Sequence, residues 1–200
     1  MKSIRKITWQ AFGCTCVLTP LLLASCGSDK PEEKTAAKAG TQEAVIPATY
    51  FLAERPTDVP MLREVKAGSQ VGDMVRFEAR VGGRAEPFVD GIAIFLTADP
   101  RLVSCDQRPG DHCPVPYDYC CEDADAMMAG TATIQMVDAS GSLYPISANG
   151  QGGIEPLKTL VIEGVVSEKD ANGVFVVDAS KIWVGSIPST PVADDGQDKG

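Results

Sequence analysis

Eight consecutive residues, Met74–Val81, alternate between two kinds of side chain, and this alternation limits the fold more than any other feature. The apolar members are Val75, Phe77, Ala79 and Val81, and the charged members between them are Arg76, Glu78 and Arg80. A period of two residues is that of a β-strand with one face buried and the other in solvent. The segment is therefore predicted to be a half-buried strand.

Four further segments have the composition of strands. They are Gly91–Ala98, Thr131–Val137, Leu160–Val166 and Gly173–Val184. Asn172 and Gly173, between the last two, indicate a hairpin because both residues tolerate the positive φ values of tight turns. Glu122–Ala129 is predicted to be a short helix, with acidic residues in its first turn and Gly130 at its end. The chain is therefore predicted to be all-β.

The order of these segments resembles that of an OB-fold over residues 61–186. Val71–Val81, Leu157–Val166 and Gly173–Ile182 carry the resemblance, as the first, fourth and fifth strands. The resemblance implies a small five-stranded Greek-key barrel. The chain departs from the family in a cysteine-rich insertion between strands two and three. It also departs in Ser142–Lys158, which is too rich in glycine for the helix that many OB-folds have there.

The charge of the chain argues against nucleic acid as a partner, although many OB-folds bind oligonucleotides. The formal net charge is −9, and residues 1–25 hold three of the 18 basic residues and none of the 27 acidic ones. The rest of the chain, with 15 basic and 27 acidic residues, has a formal net charge of −12. Such a domain lacks the electrostatic attraction to phosphates that supplies most non-specific binding.

The first 25 residues have the features of an export signal. Lys2, Arg5 and Lys6 precede a short apolar stretch that is interrupted by polar residues, which favours a cleaved signal over a permanent membrane helix. The segment ends in Leu23-Ala-Ser-Cys26, which resembles the lipobox of bacterial lipoproteins. The resemblance implies a signal peptide over 1–25 and a lipid, such as palmitate, on Cys26. Gly27 after the lipid site favours the outer membrane, facing the periplasm. The alternatives are an ordinary secretory signal and a single-pass anchor.

Composition divides the rest of the chain into three parts. Residues 26–60 are predicted to be a lipidated, largely disordered linker, because Asp29–Glu43 has almost nothing apolar to bury. Its more apolar part, Val45–Leu52, is expected to lie along the domain as an extended strap. The barrel domain spans 61–186, and 187–200 is predicted to be a flexible acidic tail.

The chemistry of the chain is concentrated in residues 105–121, here called the cysteine loop. It holds four of the seven cysteines and the only histidine, together with Tyr117 and Tyr119. The cysteines are Cys105, Cys113, Cys120 and Cys121. An even number of cysteines in an exported domain predicts two disulfide bonds. Three pairings are open, of which a bond between the neighbours Cys120 and Cys121 is disfavoured because its ring would be strained.

The same cysteines with His112 also offer soft ligands for zinc, copper or iron, although their spacing is not that of a standard zinc site. A redox-active dithiol is a further alternative, weakened by the absence of Cys-x-x-Cys. No catalytic motif occurs in the chain, and a Ser-His or Cys-His mechanism would have to use this one histidine.

The sequence thus predicts a non-catalytic, lipid-anchored binding or assembly module of the bacterial cell envelope, without a cofactor. Its disulfide-stapled loop would present Tyr117 and Tyr119 to a protein partner, since tyrosine combines an apolar body with a polar tip. The alternative for both tyrosines is packing against their own barrel. The alternative function is a periplasmic metal-binding or metallochaperone protein.

Overall fold

Five strands form a closed barrel in the computed structural model, which describes residues 45–110 and 112–187. The strands are β1 (Met74–Val81), β2 (Ile94–Ala98), β3 (Thr131–Met136), β4 (Thr159–Lys169) and β5 (Phe175–Val184). Their order around the barrel is β1-β2-β3-β5-β4, with β3 and β5 parallel and every other pair antiparallel. The predicted OB-like Greek-key barrel is confirmed.

The predicted signal peptide, Cys26, the linker up to residue 44 and the tail from residue 188 lie outside the described residues, as does Asp111. All described residues belong to one compact unit. Among them, no helix is both long and apolar enough to cross a bilayer.

Strand β1 has the predicted alternation and directs its apolar side chains into the barrel. Phe77 and Ala79 are fully buried and stand opposite Ile162 and Leu160 of β4. The predicted hairpin joins β4 to β5. There the Asp170 carboxylate accepts hydrogen bonds from the backbone N–H groups of two later residues in the turn, and Gly173 has a φ of 91°.

Two short helices lie beside the barrel, of which only the second was predicted. Helix α1 spans Leu62–Gly68 and helix α2 spans Ala124–Gly130. Asp123 caps α2 by accepting from two backbone N–H groups of its first turn. In the glycine-rich stretch 142–158, the structure has one short 3-10 helix, Gln151–Gly153, in place of the helix of many OB-folds.

Residues 45–60 lie against the barrel, although the sequence assigns them to the linker. Ile46 and Tyr50 are buried in the core, and the Tyr50 hydroxyl donates to the carbonyl of Ala179. The Leu52 N–H donates to the Ile182 carbonyl of β5 at 2.9 Å. The expected strap is therefore present, with a 3-10 turn at Ala48–Tyr50 within it.

Candidate functional site: the cysteine loop

Three of the four loop cysteines bring their sulfur atoms together. The Sγ atoms of Cys105, Cys113 and Cys120 all lie within 4.8 Å of one another, and Cys105 Sγ is 3.6 Å from Cys120 Sγ. The cluster extends from the interior to the surface, because Cys105 is buried, Cys113 is half-buried and Cys120 is exposed. A ligand from solvent can therefore reach it from the side of Cys120.

The sulfur distances are longer than those of covalent bonds. A disulfide has an S–S distance of about 2.05 Å, so Cys105 and Cys120 are not bonded in this structure. Cys121 is exposed, with its Sγ 3.9 Å from that of Cys120, and it does not belong to the cluster. The structure therefore has no disulfide between Cys105 and Cys120, which was one of the predicted pairings, and none between Cys120 and Cys121, which was the disfavoured one.

Backbone hydrogen bonds across the loop place Cys105 beneath Cys120. Cys105 lies in a 3-10 turn, Cys105–Gln107, that Ser104 caps. Its N–H donates to the Asp118 carbonyl at 2.9 Å, and the next N–H donates to the Pro116 carbonyl at 3.0 Å. Proline lacks an N–H but keeps its acceptor, so the proline-rich half of the loop can still pair with the half that carries Cys105.

Arg80 of β1 attaches the loop to the barrel, a role that the sequence did not predict. Its guanidinium donates to Ser104 Oγ at 2.7 Å and to the Asp106 carboxylate at 2.9 Å, and its Nε donates to the Leu157 carbonyl at 3.3 Å. The alternation of β1 predicts Arg80 on the solvent face, yet it is 1% exposed. The predicted exposure of Arg80 is therefore wrong, because the cysteine loop covers that face at the end of β1.

Two glycines after β1 let the loop approach closely. The N–H of Gly83 donates to the Tyr117 carbonyl at 3.3 Å. A Cβ on Gly82 would lie only 2.7 Å from the same carbonyl oxygen. Adjacent glycines at the end of a strand are a signal of close backbone approach, and this signal could have located the contact before the structure was known.

Tyr119 is a packing residue and is not on the surface. It is 2% exposed and lies in a small apolar cluster with Ala98 and Leu102, against which the α2 residues Ala126 and Met127 pack. Burial raises the pKa of Tyr119 to about 12, which the nearby charge of Arg80 opposes only in part. The expected contact role is therefore corrected for Tyr119, whereas Tyr117 is half-buried and retains some exposed surface.

One ion pair lies before the cysteine loop, and another joins the loop to the residue that follows it. Asp99, just after β2, accepts from the guanidinium of Arg101 and from the backbone N–H of Arg63. Burial alone would raise the pKa of Asp99, but these donors outweigh it, and the pKa is lowered. Arg108, near the start of the loop, pairs with Glu122, just after its end, at 2.5 Å.

His112 stands apart from the sulfur cluster. It is exposed, and among the described residues the cluster of potential metal ligands comprises only the three cysteines. The predicted set of four cysteines and one histidine is thus reduced to Cys105, Cys113 and Cys120.

The fold and the site together define a class of protein, namely a small OB-like barrel that carries a three-sulfur cluster on a loop held by a buried arginine. No family model matches the chain, and no curated protein or solved structure matches it either.

Proposed function

We propose that this chain is a lipid-anchored protein of the bacterial cell envelope whose non-catalytic barrel binds a soft metal ion through the cysteine loop. The convergence of three sulfur atoms within 4.8 Å carries the proposal. Zinc–sulfur bonds of about 2.3 Å place the sulfurs of a tetrahedral site about 3.8 Å apart. The Cys105–Cys120 separation of 3.6 Å is close to that value and far from a disulfide.

The way in which the loop is held supports this proposal. The contacts from Arg80, Gly83 and Tyr119 use no cysteine sulfur, so they hold the loop in its shape without an ion. Preorganised ligands bind more tightly because the ordering cost has already been met during folding.

The location in the envelope is supported by the sequence alone. A chain that is exported through Leu23–Cys26 and lipidated on Cys26 would stay at the membrane, since each buried CH₂ of an acyl chain contributes about 0.8 kcal/mol. The proposed side is the periplasmic face of the outer membrane. The net charge of −9 supports a partner other than nucleic acid.

A second candidate is a disulfide-stapled assembly module that binds a protein partner in the envelope. It is favoured by the proximity of Cys105 and Cys120, whose sulfurs need to approach by only about 1.5 Å to reach bonding distance. In this version Tyr117, with its exposed part, provides the contact with the partner.

Elemental analysis of the full chain purified from membranes, combined with its intact mass before and after reduction, distinguishes the two. One metal ion per chain with reduced loop cysteines supports the metal-binding function. A metal-free chain that gains two or four mass units on reduction supports the stapled module and refutes metal binding.

The anchor is tested separately with Cys26→Ala. The parental chain is expected to incorporate radioactive palmitate and to sediment with membranes, and the variant is expected to do neither. Palmitate labelling that persists in the variant would refute lipidation at Cys26.

A further inference from the structure

The chain has two asparagines, Asn149 and Asn172, and both stand in the same tripeptide, Ala-Asn-Gly. We propose that Asn172 is a site of spontaneous deamidation in the folded chain while Asn149 is protected, and that the isoaspartyl product at residue 172 weakens the contact of helix α1 with the barrel. Neither part depends on what the cysteine loop binds.

Deamidation of an asparagine needs an accessible backbone nitrogen on the following residue. This nitrogen attacks the side-chain carbon Cγ, a new C–N bond forms, the bond from Cγ to Nδ2 breaks, and the attacking nitrogen gives up its proton as ammonia leaves. Water then opens the resulting succinimide at either of its carbonyl groups, which yields aspartate or isoaspartate. A following glycine favours the attack because it has no side chain in the way.

The turn between β4 and β5 leaves this nitrogen accessible at Gly173. Asn172 is exposed, and the Asp170 carboxylate accepts from the backbone N–H groups of Asn172 and Val174 at 2.8 and 2.9 Å. Between them, the N–H of Gly173 donates to no described residue. Asn172 Nδ2 donates to Asp170 Oδ2 at 3.2 Å, which is at the long end of the usual range, so the side chain is only weakly restrained.

Asn149 is equally exposed, but the nitrogen that follows it is engaged. The Gly150 N–H donates to the Ile154 carbonyl at 2.7 Å. The N–H of Gln151 donates to the Ala148 carbonyl at 3.1 Å, and Gly150 has a φ of 82° and a ψ of −15°, the values of the third residue of a type II turn. Attack on Asn149 must therefore first break a hydrogen bond and open this turn.

The contacts of Gly173 indicate what isoaspartate at residue 172 disturbs. In isoaspartate the main chain runs through the former side chain, which inserts one carbon atom before Gly173. The Gly173 carbonyl accepts from the Nζ of Lys66 at 2.7 Å, and Lys66 is a buried residue of helix α1. A longer main chain displaces this carbonyl, and a buried donor that loses an acceptor destabilises the folded chain.

The test compares the two asparagines within one sample. The reduced full chain is incubated at mildly alkaline pH, either folded or in urea, and each site is followed by peptide mass spectrometry together with labelling by a protein isoaspartyl methyltransferase. In the folded chain Asn172 should react at least about tenfold faster than Asn149, because breaking one hydrogen bond adds about that factor to the barrier. In urea the two rates should agree, since the flanking residues are the same.

Two results would overturn the assignment of the site. One is a folded chain in which Asn149 reacts as fast as Asn172 or faster. The other is a folded chain in which Asn172 stays intact over a period that converts it in urea. Asn172→Gln and Asn149→Gln each remove one site and verify that the mass change belongs to the assigned residue.

Urea unfolding of the isoaspartyl form, separated by ion exchange, tests the effect on helix α1. It should unfold at a lower urea concentration than the parental chain, and the shift should be smaller in the Lys66→Met background, where this contact is already missing. Asn172→Asp is the matched control, because it has the same charge with a normal main chain, and it should shift the midpoint less. An isoaspartyl form with the parental midpoint, an equal shift in Lys66→Met, or an equal shift in Asn172→Asp would overturn the proposed effect on helix α1.

Discussion

Replacing Arg80 with methionine should release the cysteine loop from the barrel. The change removes hydrogen bonds to Ser104 Oγ, the Asp106 carboxylate and the Leu157 carbonyl, while keeping much of the side-chain volume. Breaking a buried ion pair costs about 3–5 kcal/mol. Because the Asp106 side chain is 23% exposed and can be hydrated again, the lower end applies, and we expect a loss of about 3 kcal/mol.

Arg76→Met is the matched control for this change. Arg76 lies on the same strand and pairs with Glu163 at 2.7 Å, but its side chain is 49% exposed. Exposed ion pairs contribute about 0–1 kcal/mol, so the control should lose no more than that. Urea unfolding of the reduced chain, followed by circular dichroism, measures both.

A double-mutant cycle then tests whether Arg80 acts through Asp106. Asp106→Ala leaves the guanidinium, which is 1% exposed, without its carboxylate partner, so this variant should also lose about 3 kcal/mol. The double variant Arg80→Met/Asp106→Ala should lose at least about 1 kcal/mol less than the sum of the two. Equal losses for Arg80→Met and Arg76→Met, or strict additivity in the cycle, would refute the attachment.

Three further predictions concern the surroundings of the site. Gly82→Ala should lower the free energy of unfolding by about 2–3 kcal/mol through the clash with the loop backbone. The control Gly91→Ala, whose added Cβ would have nothing within 4 Å, should lower it by about 1 kcal/mol. Similar losses for the two variants would contradict the close approach. Burial raises the pKa of Cys105 to about 12, so at pH 8 iodoacetamide should label the exposed Cys121 of the reduced, folded chain much faster than Cys105. In urea the two cysteines should be labelled at equal rates, and peptide mass spectrometry measures both rates. Burial, with a smaller effect of a neighbouring lysine, lowers the pKa of Lys66 to about 8, so between pH 8 and 10 the unfolded chain holds a proton that the folded chain has lost. The free energy of unfolding should therefore rise over this range relative to Lys66→Met, and a flat difference would contradict the lowered pKa.

The strands were predictable because their pattern is local. The conformation of a segment can be predicted locally from the alternation of Met74–Val81 and from the turn residues Asn172 and Gly173. The structure has β1 with the predicted bounds and the hairpin at the predicted turn. The order of strands followed from their resemblance to a known barrel. These predictions needed no knowledge of which distant side chains meet.

Helix α1 was missed because its buried face contains a lysine. Leu62, Val65 and Lys66 follow a helical spacing, but a pattern of apolar residues counts Lys66 as polar. In the structure Lys66 is 7% exposed and its Nζ donates to the carbonyls of Met128, Thr131 and Gly173, each at 2.7 Å. These acceptors lie 62 or more positions away, so only the tertiary structure shows why the lysine is inside.

The site was located by composition but not by geometry. Seven unusual positions crowded into one loop marked where the chemistry lies, yet the selection of Cys105, Cys113 and Cys120 over Cys121 depends on how the loop folds back on itself. Tyr119 and Tyr117 differ by two positions, and only the packing of α2 over one of them separates a core residue from a partly exposed one.

The structure bears on whether the cysteines serve stability or binding. The sequence alone predicted disulfides because an even number of cysteines lies in a domain that is expected to be exported. Such bonds would hold a loop that has several prolines and few apolar side chains. Here a buried arginine, a close backbone contact at Gly83 and the packing of Tyr119 already hold the loop. Because none of these contacts involves a cysteine sulfur, replacing Cys105 with serine should affect metal binding far more than the fold. A cysteine whose removal leaves stability intact but abolishes metal binding would be a ligand, and this is the behaviour that the geometry predicts for the cluster.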